Sequence, residues 1–257
     1  MSEREREWDD EPGSLYSSNG AAPASIVYRS SGDERGGTAV ESAPLFFGIM
    51  PGEYASISAA ARVKEFARDE ALFFEGDSAQ RVLLLISGFV KITKLGTSGS
   101  EVILRFGAPG DLLGAVGMFS TGKHCATAQA FRPCRVFVWD APVFKALVER
   151  FPLLHQNMAR ILGGDLLELE ERFREVATER VGPRVARQLL RLMEQIGRPV
   201  SGGVEIGLSR EDLAQMTGTT LFTVSRLLSA WESEGMVRPR REAVTVCDAQ
   251  SLRTVSE

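Results

Sequence analysis

The stretch Leu208–Gly235, LSREDLAQMTGTTLFTVSRLLSAWESEG, decides the architecture. It reads as two short helices joined by a glycine turn. Ser209 stands at an N-cap position, and Asp212 three residues later completes an acidic variant of the capping box. Leu213 and Met216 give the first helix an apolar edge, and Ala214 is small where a second helix must cross closely. Gly218 supplies a left-handed turn that other residues resist. Thr220 can cap the next helix, whose apolar positions Val224, Leu227, Leu228 and Trp231 recur at helical spacing before Gly235 ends it.

That is the pattern of a helix-turn-helix, whose second helix enters the DNA major groove. Its expected outward face carries Thr220, Phe222, Thr223, Ser225 and Arg226. An arginine there can donate two hydrogen bonds to guanine O6 and N7. An ordinary helical hairpin with a solvated face would also satisfy this stretch alone. The segment after Gly235 favours double-stranded DNA as the partner. Met236–Val246, with Pro239 and a basic tip of Arg238, Arg240 and Arg241, reads as a β-hairpin wing able to lay cations along a phosphate backbone.

Working outward, the 257 residues can bury one large or two modest cores, and a composition 44% hydrophobic and 25% charged is that of a globular protein. The net charge of −4 argues against a chain coated with nucleic acid, though not against local basic elements. Two histidines, His124 and His155, rule out a histidine-rich metal site within one chain. The three cysteines, Cys125, Cys134 and Cys247, have no CxxC spacing and indicate no disulfide framework. No Ser-His-Asp, His-metal or phosphate-loop arrangement is visible, so the chain is not expected to be an enzyme. No apolar run reaches the roughly 18 residues that span a membrane, and no signal-peptide pattern opens the chain. A cytoplasmic protein without membrane contact is expected.

Residues 1–43, charged and then rich in Ser, Gly and Ala, read as a disordered N-terminal extension. The fold begins at Pro44, with Leu45, Phe46, Ile49 and Met50 as anchors and a short helix near Glu53–Ala61. Residues 44–151 hold the β-like runs VKEF, ALFFEGD, RVLLLISGFVKITKL, EVILRFGAPGDLLG and FRPCRVFVWD. Turns are expected at Gly76-Asp77, Gly88, Thr97–Ser100, Pro109–Asp111 and Arg132-Pro133, which argues for an antiparallel barrel or roll. A short helix, Ala141–Phe151, closes this part, and Pro152 opens a long helix over 152–180. In it Leu162, Leu166, Leu169, Phe173 and Val176 alternate at spacings of four and three, a heptad seam of about two to three heptads. The seam fits either a homodimer contact or packing against the chain's own roll. Dimerisation gains weight because helix-turn-helix readers bind two half-sites as two-fold dimers. Gly182-Pro183 is expected to break the long helix, with another over Arg184–Ile196 and a turn at Pro199–Gly203 before the helix-turn-helix; residues 181–257 form the last domain.

An antiparallel β-roll, a long dimerisation helix and a C-terminal winged helix-turn-helix, an α+β chain in that order, resemble the cyclic-AMP receptor and fumarate-nitrate regulator (Crp/Fnr) superfamily. The likeness rests on PGDLLGAVGMF (Pro109–Phe119), the helix seam and TTLFTVSRLLSAWESEGMV (Thr219–Val237). It implies a homodimeric transcription regulator with a cyclic-nucleotide-binding-like roll and RNA polymerase as a further partner. By this resemblance the effector pocket would fall at Gly114, Ala115, Val116, Gly117, His124, Cys125 and Ala126. Where cyclic-nucleotide-binding members carry a ribose-holding Glu and a phosphate-holding Arg-Ser or Arg-Thr pair, this chain has Ala115, Cys125 and Ala126, so ordinary cyclic-AMP binding is not expected. Lys123 could supply a replacement charge, although a solvated loop lysine is the simpler reading. The resident cofactor is left open. An iron-sulfur cluster is not expected, since no cysteine precedes Cys125. Haem is kept as an alternative beside the plainer reading of His124 as a polar loop residue next to a half-buried Cys125. Many members place a glutamate at Phe222, while Ser225 and Arg226 match the family's serine-arginine ending, so the operator should depart from the usual half-site. The rival from another class is a regulatory or scaffold module whose roll binds a partner protein or a non-standard nucleotide; it leaves the winged domain unexplained.

Overall fold

The computed structural model describes residues 38–97 and 99–257. The expected disordered extension lies outside the described residues up to position 37. Its last six residues do not follow that expectation: α1 (Thr38–Glu41) is a helical turn, and Val40 and Ala43 are buried against the roll. Two small apolar side chains find a core there that composition could not reveal. A 3-10 turn at Pro44–Phe46 buries Leu45 and Phe46, whereas Met50, expected as an anchor, is exposed. The short helix α2 spans Pro51–Ala59, starting two residues before its expected place because Pro51 suits a first helical turn.

The roll consists of β1 (Arg62–Phe66), β2 (Ala71–Phe73), β3 (Arg81–Leu95), β4 (Glu101–Gly107), β5 (Leu112–Leu113), the helix α3 (Ala115–Phe119) and β6 (Thr127–Asp140). All pairs are antiparallel, in the order β1-β6-β3-β4, with β2 on β6 and β5 on β3. Alternation sends successive side chains of β3 to opposite faces. Leu83 and Leu85 join Phe66, Val136 and Val138, while Val82 and Leu84 join Trp139, Phe144 and Leu154. The turns expected at Gly88 and Arg132-Pro133 are absent: β3 and β6 run straight through both. Their register shifts on either side of Ser87, where Gly88 (φ 84°) meets the backbone of Pro133 and Cys134. Turn and bulge demand the same residue chemistry, and here the close approach of two backbones uses it.

The helix α4 (Ala141–Arg150) leads into α5 (Pro152–Thr178). Asn157 Nδ2 donates to the carbonyls of Leu45 (3.1 Å) and Phe47 (2.7 Å), fixing the start of α5 on the roll. The break after α5 falls at Glu179 and Arg180, both extended, and Gly182-Pro183 lie inside α6 (Val181–Ile196) instead. Proline is tolerated in a first turn because its missing amide has no partner there.

The last part holds β7 (Arg198–Val200), β8 (Gly203–Ile206), α7 (Arg210–Thr217), α8 (Leu221–Ser233), β9 (Val237–Pro239), β10 (Val244–Val246) and α9 (Ala249–Ser256). The expected two-stranded wing is part of a four-stranded sheet, β7-β8-β10-β9, because the supposed turn at Pro199–Gly203 is itself a hairpin. One apolar cluster joins this part to the roll: Ile103 and Phe106 of β4 pack with Val185, Leu189, Leu213 and Leu228. Gln195 Nε2 donates to the Phe106 carbonyl (3.1 Å) and Arg132 Nη2 to that of Ile196 (3.2 Å).

Candidate nucleic-acid interface

Local chemistry builds the helix-turn-helix. The Asp212 amide donates to Ser209 Oγ (3.0 Å), and the Ser209 amide donates to Asp212 Oδ2 (3.0 Å), closing the capping box of α7. Gly218 turns the chain at φ 59°, and the Thr223 amide donates to Thr220 Oγ1 (3.2 Å) to start α8. Leu213, Ala214, Val224, Leu228 and Trp231 are buried, so the opposite side of α8 faces outward. Phe222 is 75% exposed there, and Arg226, one turn on, is exposed beside it. Thr220 is exposed as well, whereas Thr223 and Ser225 sit half-buried on the edges of that face. Leu221, half-exposed, extends the apolar tip; its place as the first residue of α8 is the signal that sequence reading passed over.

The Arg240 amide donates to the Ala243 carbonyl (2.7 Å) and closes the wing. Arg238, Arg240 and Arg241 are all exposed, but they are not equivalent. Arg240 Nη1 lies 3.9 Å from Glu205 Oε2, and Glu205 also holds Arg198 at 2.6 Å. Among the described residues, Arg226, Arg238 and Arg241 have no carboxylate partner, so their charge is uncompensated.

On α5, Leu166, Leu169, Phe173 and Val176 are each at least half exposed, Phe173 the most at 74%. Leu162 alone is half-buried against the chain's own core. The roll is met by a different side of the helix. Arg105 bridges Asp111 (2.7 Å) and Asp165 (3.4 Å), and Arg172 donates to the Leu104 carbonyl while pairing with Glu168 (2.8 Å). One turn before the helix ends, Glu175 is buried and accepts from both Arg191 nitrogens, with Arg187 at 3.3 Å. This joint between α5 and α6 was not anticipated, since a glutamate among charged neighbours reads as solvated.

In the roll, Gly114 (φ 83°) precedes α3, and a Cβ there would lie 2.8 Å from the Arg81 carbonyl and 3.2 Å from His124 Cε1. Ala115, Gly117 and Ala126 are buried; Val116 and Cys125 are exposed. The expected contrast of a polar loop histidine and a half-buried cysteine is reversed. His124 is only 6% exposed and stacks on Phe73 at 3.8 Å, and burial holds its pKa below the usual imidazole value despite nearby Asp77. Lys123 is exposed. Cys134, buried in β6, has its thiol pushed up to about 11 by burial and by Glu70. At Ala115, Cys125 and Ala126 the roll presents two methyl groups and a thiol. Among the described residues, no three His, Cys, Asp or Glu side chains converge on a metal-sized site.

Residues 63–151 match the model of the cyclic nucleotide-binding domain, and residues 183–255 that of the Crp-like helix-turn-helix domain. The global nitrogen regulator of Synechococcus elongatus is 30% identical over 199 residues, covering 74% of this chain and 88% of that protein. The chain belongs to the Crp/Fnr family. As a member it is a DNA-binding transcription regulator and not an enzyme. The CRP-like cAMP-activated global transcriptional regulator of Mycobacterium tuberculosis is 26% identical over 212 residues, 82% of this chain and 95% of the relative. The c-di-GMP responsive global regulator CLP of Xanthomonas campestris shares the fold, with a TM-score of 0.69 at 20% identity over 77% of this chain and 99% of that one. No helix among the described residues is long and apolar enough to cross a membrane.

Proposed function

We propose that this Crp/Fnr regulator binds a two-fold operator as a homodimer, reads each half-site with α8, and does so without cyclic AMP. The observation that carries the reading is the outward face of α8, where an unpaired Arg226 lies one turn from a largely exposed Phe222. Arg226 donates hydrogen bonds from both its terminal nitrogens to guanine O6 and N7, Phe222 covers a thymine methyl, and Ser225 meets a neighbouring base or phosphate, with Thr220 and Thr223 flanking. Arg238 and Arg241 neutralise phosphates; Arg240 contributes less because Glu205 shares its charge. Residues 152–180 act as the dimerisation helix through Leu162, Leu166, Leu169, Phe173 and Val176, between a sensory roll at 44–151 and a DNA-binding domain at 181–257. Family membership supports RNA polymerase as a further partner.

The Mycobacterium tuberculosis relative is named as cAMP-activated. In this chain Ala115, Cys125 and Ala126 cannot replace the carboxylate and the arginine that hold ribose and cyclic phosphate. A missing charge-assisted partner is worth about 1.5–3 kcal/mol. Calorimetry against cyclic AMP and gel shifts on a selected operator test the proposal. No heat and an unchanged shift are expected; micromolar binding that strengthens the shift would overturn it.

A further inference from the structure

Next to His124 the roll opens into a cavity of about 170 Å³. It lies between β1, β2 and the segment that enters β3. Three rings wall it: Phe66, Phe73 and His124, the last two stacked. Leu72, Leu83 and Val138 complete the apolar part of the lining, beside the polar side chains of Ser78 and Gln80. The rim is charged. Lys64 shares a face of β1 with Phe66, two residues on, and its Nζ stands 4.2 Å from that ring's centroid. Among the described residues Lys64 has no carboxylate partner. Arg81 is only loosely held, its Nε 3.9 Å from an Asp140 oxygen that Arg62 already takes at 2.8 Å. Asp77 is the one carboxylate lining the cavity, so the rim carries a net positive charge.

Size and chemistry together limit what fits. An apolar cavity of about 150 Å³ holds one benzene ring. This cavity is half open and partly polar, and its volume of about 170 Å³ accommodates one six-membered ring with a small substituent directed to the cationic rim. Phe73 and His124 lie face to face at 3.8 Å, so a guest meets an outer face or the edges of that stack, and burial holds the His124 pKa below the usual imidazole value.

We propose that this cavity binds a monocyclic aromatic carboxylate, its ring against Phe66, Phe73 and His124 and its carboxylate at Lys64 and Arg81. The proposal rests on the reading of the roll as a sensory domain that does not use cyclic AMP, and gives that domain an effector class. A ligand the size of benzoate supports a dissociation constant of about 0.1–1 mM.

Sodium benzoate titrated into the full-length protein, by calorimetry and by ligand-detected NMR, is the direct test. Sodium acetate controls for the charge alone and benzamide for the ring alone. Both controls should bind at least about tenfold more weakly than benzoate, and the double variant Lys64→Ala/Arg81→Ala should weaken benzoate about tenfold. Both heads are exposed, so this variant should keep its circular dichroism spectrum and its operator shift. Benzoate should also move the ring resonances of His124. Absence of saturable benzoate binding, equal binding of acetate, or unchanged affinity in the double variant each overturn the inference. Cyclic AMP titrated in parallel separates the two readings: its binding overturns the proposed function, whereas benzoate failing while cyclic AMP is also inert overturns this inference alone.

Discussion

Replacing Leu166 and Leu169 together with glutamate should convert the proposed dimer into a folded monomer. Leu166, Leu169, Phe173 and Val176 keep between 50% and 74% of their surface exposed in one protomer. Fully burying such a side chain contributes about 1.5–3 kcal/mol, so covering the exposed part of each contributes about 1 kcal/mol or slightly more. Two-fold symmetry counts every side chain twice. The double substitution therefore removes roughly 4–5 kcal/mol of apolar burial from the seam and sets four carboxylates in it. At about 1.4 kcal/mol per tenfold, the dimer dissociation constant rises by a factor of at least about a thousand. Sedimentation equilibrium at roughly 0.1 μM protein should then find mostly monomer, a range where a nanomolar dimer would stay largely intact. Because both leucines point away from the chain's own core, the variant should keep its helical circular dichroism. An intact dimer would refute the seam, and a variant that unfolds would return these leucines to the protomer's interior.

Buried polar groups give two further expected outcomes. Glu175→Ala leaves Arg187 and Arg191 facing an empty site at the joint of α5 and α6, and should cost about 1–3 kcal/mol in urea denaturation, below the usual value for a broken buried pair because both arginines are partly solvated. His124 is buried with its pKa below that of the unfolded chain, so between the two values the unfolded state binds more protons. Its contribution is fully present above about pH 6.5 and is lost as the pH falls from there toward the folded value. Thermal melts from pH 7.5 down to pH 5 should show this loss, and His124→Leu should flatten that part of the profile.

The helix-turn-helix was legible because its signals are local: the Ser209–Asp212 box, the Gly218 turn and the Thr220 cap each act within three or four residues. The outward exposure of Phe222 and Arg226 followed from helical spacing alone. What escaped depends on residues distant in the chain. Gly88 and Arg132-Pro133 look like turns until two long strands are laid side by side and need room to cross. Strands as short as β7 and β8 bury too little to leave a pattern, so the wing seemed two-stranded. Glu175 is buried only because α6 folds back onto α5 with Arg187 and Arg191 one turn apart. His124 and Cys125 exchanged their expected burial for a similar reason. Phe73, more than fifty residues upstream, supplies the ring that draws His124 inward.

The central claim, that α8 reads base sequence while the wing supplies charge, is tested most directly by selecting binding sites from random duplexes with three proteins: the wild type, Arg226→Ala and Arg240→Ala. The wild type should return a two-fold site. Arg226→Ala should lose preference at one base pair in each half-site and about 1–3 kcal/mol per half-site in affinity. Arg240→Ala should return the wild-type sequence with weaker binding to all duplexes and a salt dependence flatter by up to about one unit per half-site. An unchanged base preference in a folded Arg226→Ala variant would contradict the account, because the one unpaired cation on the outward face of α8 would then not be in the groove.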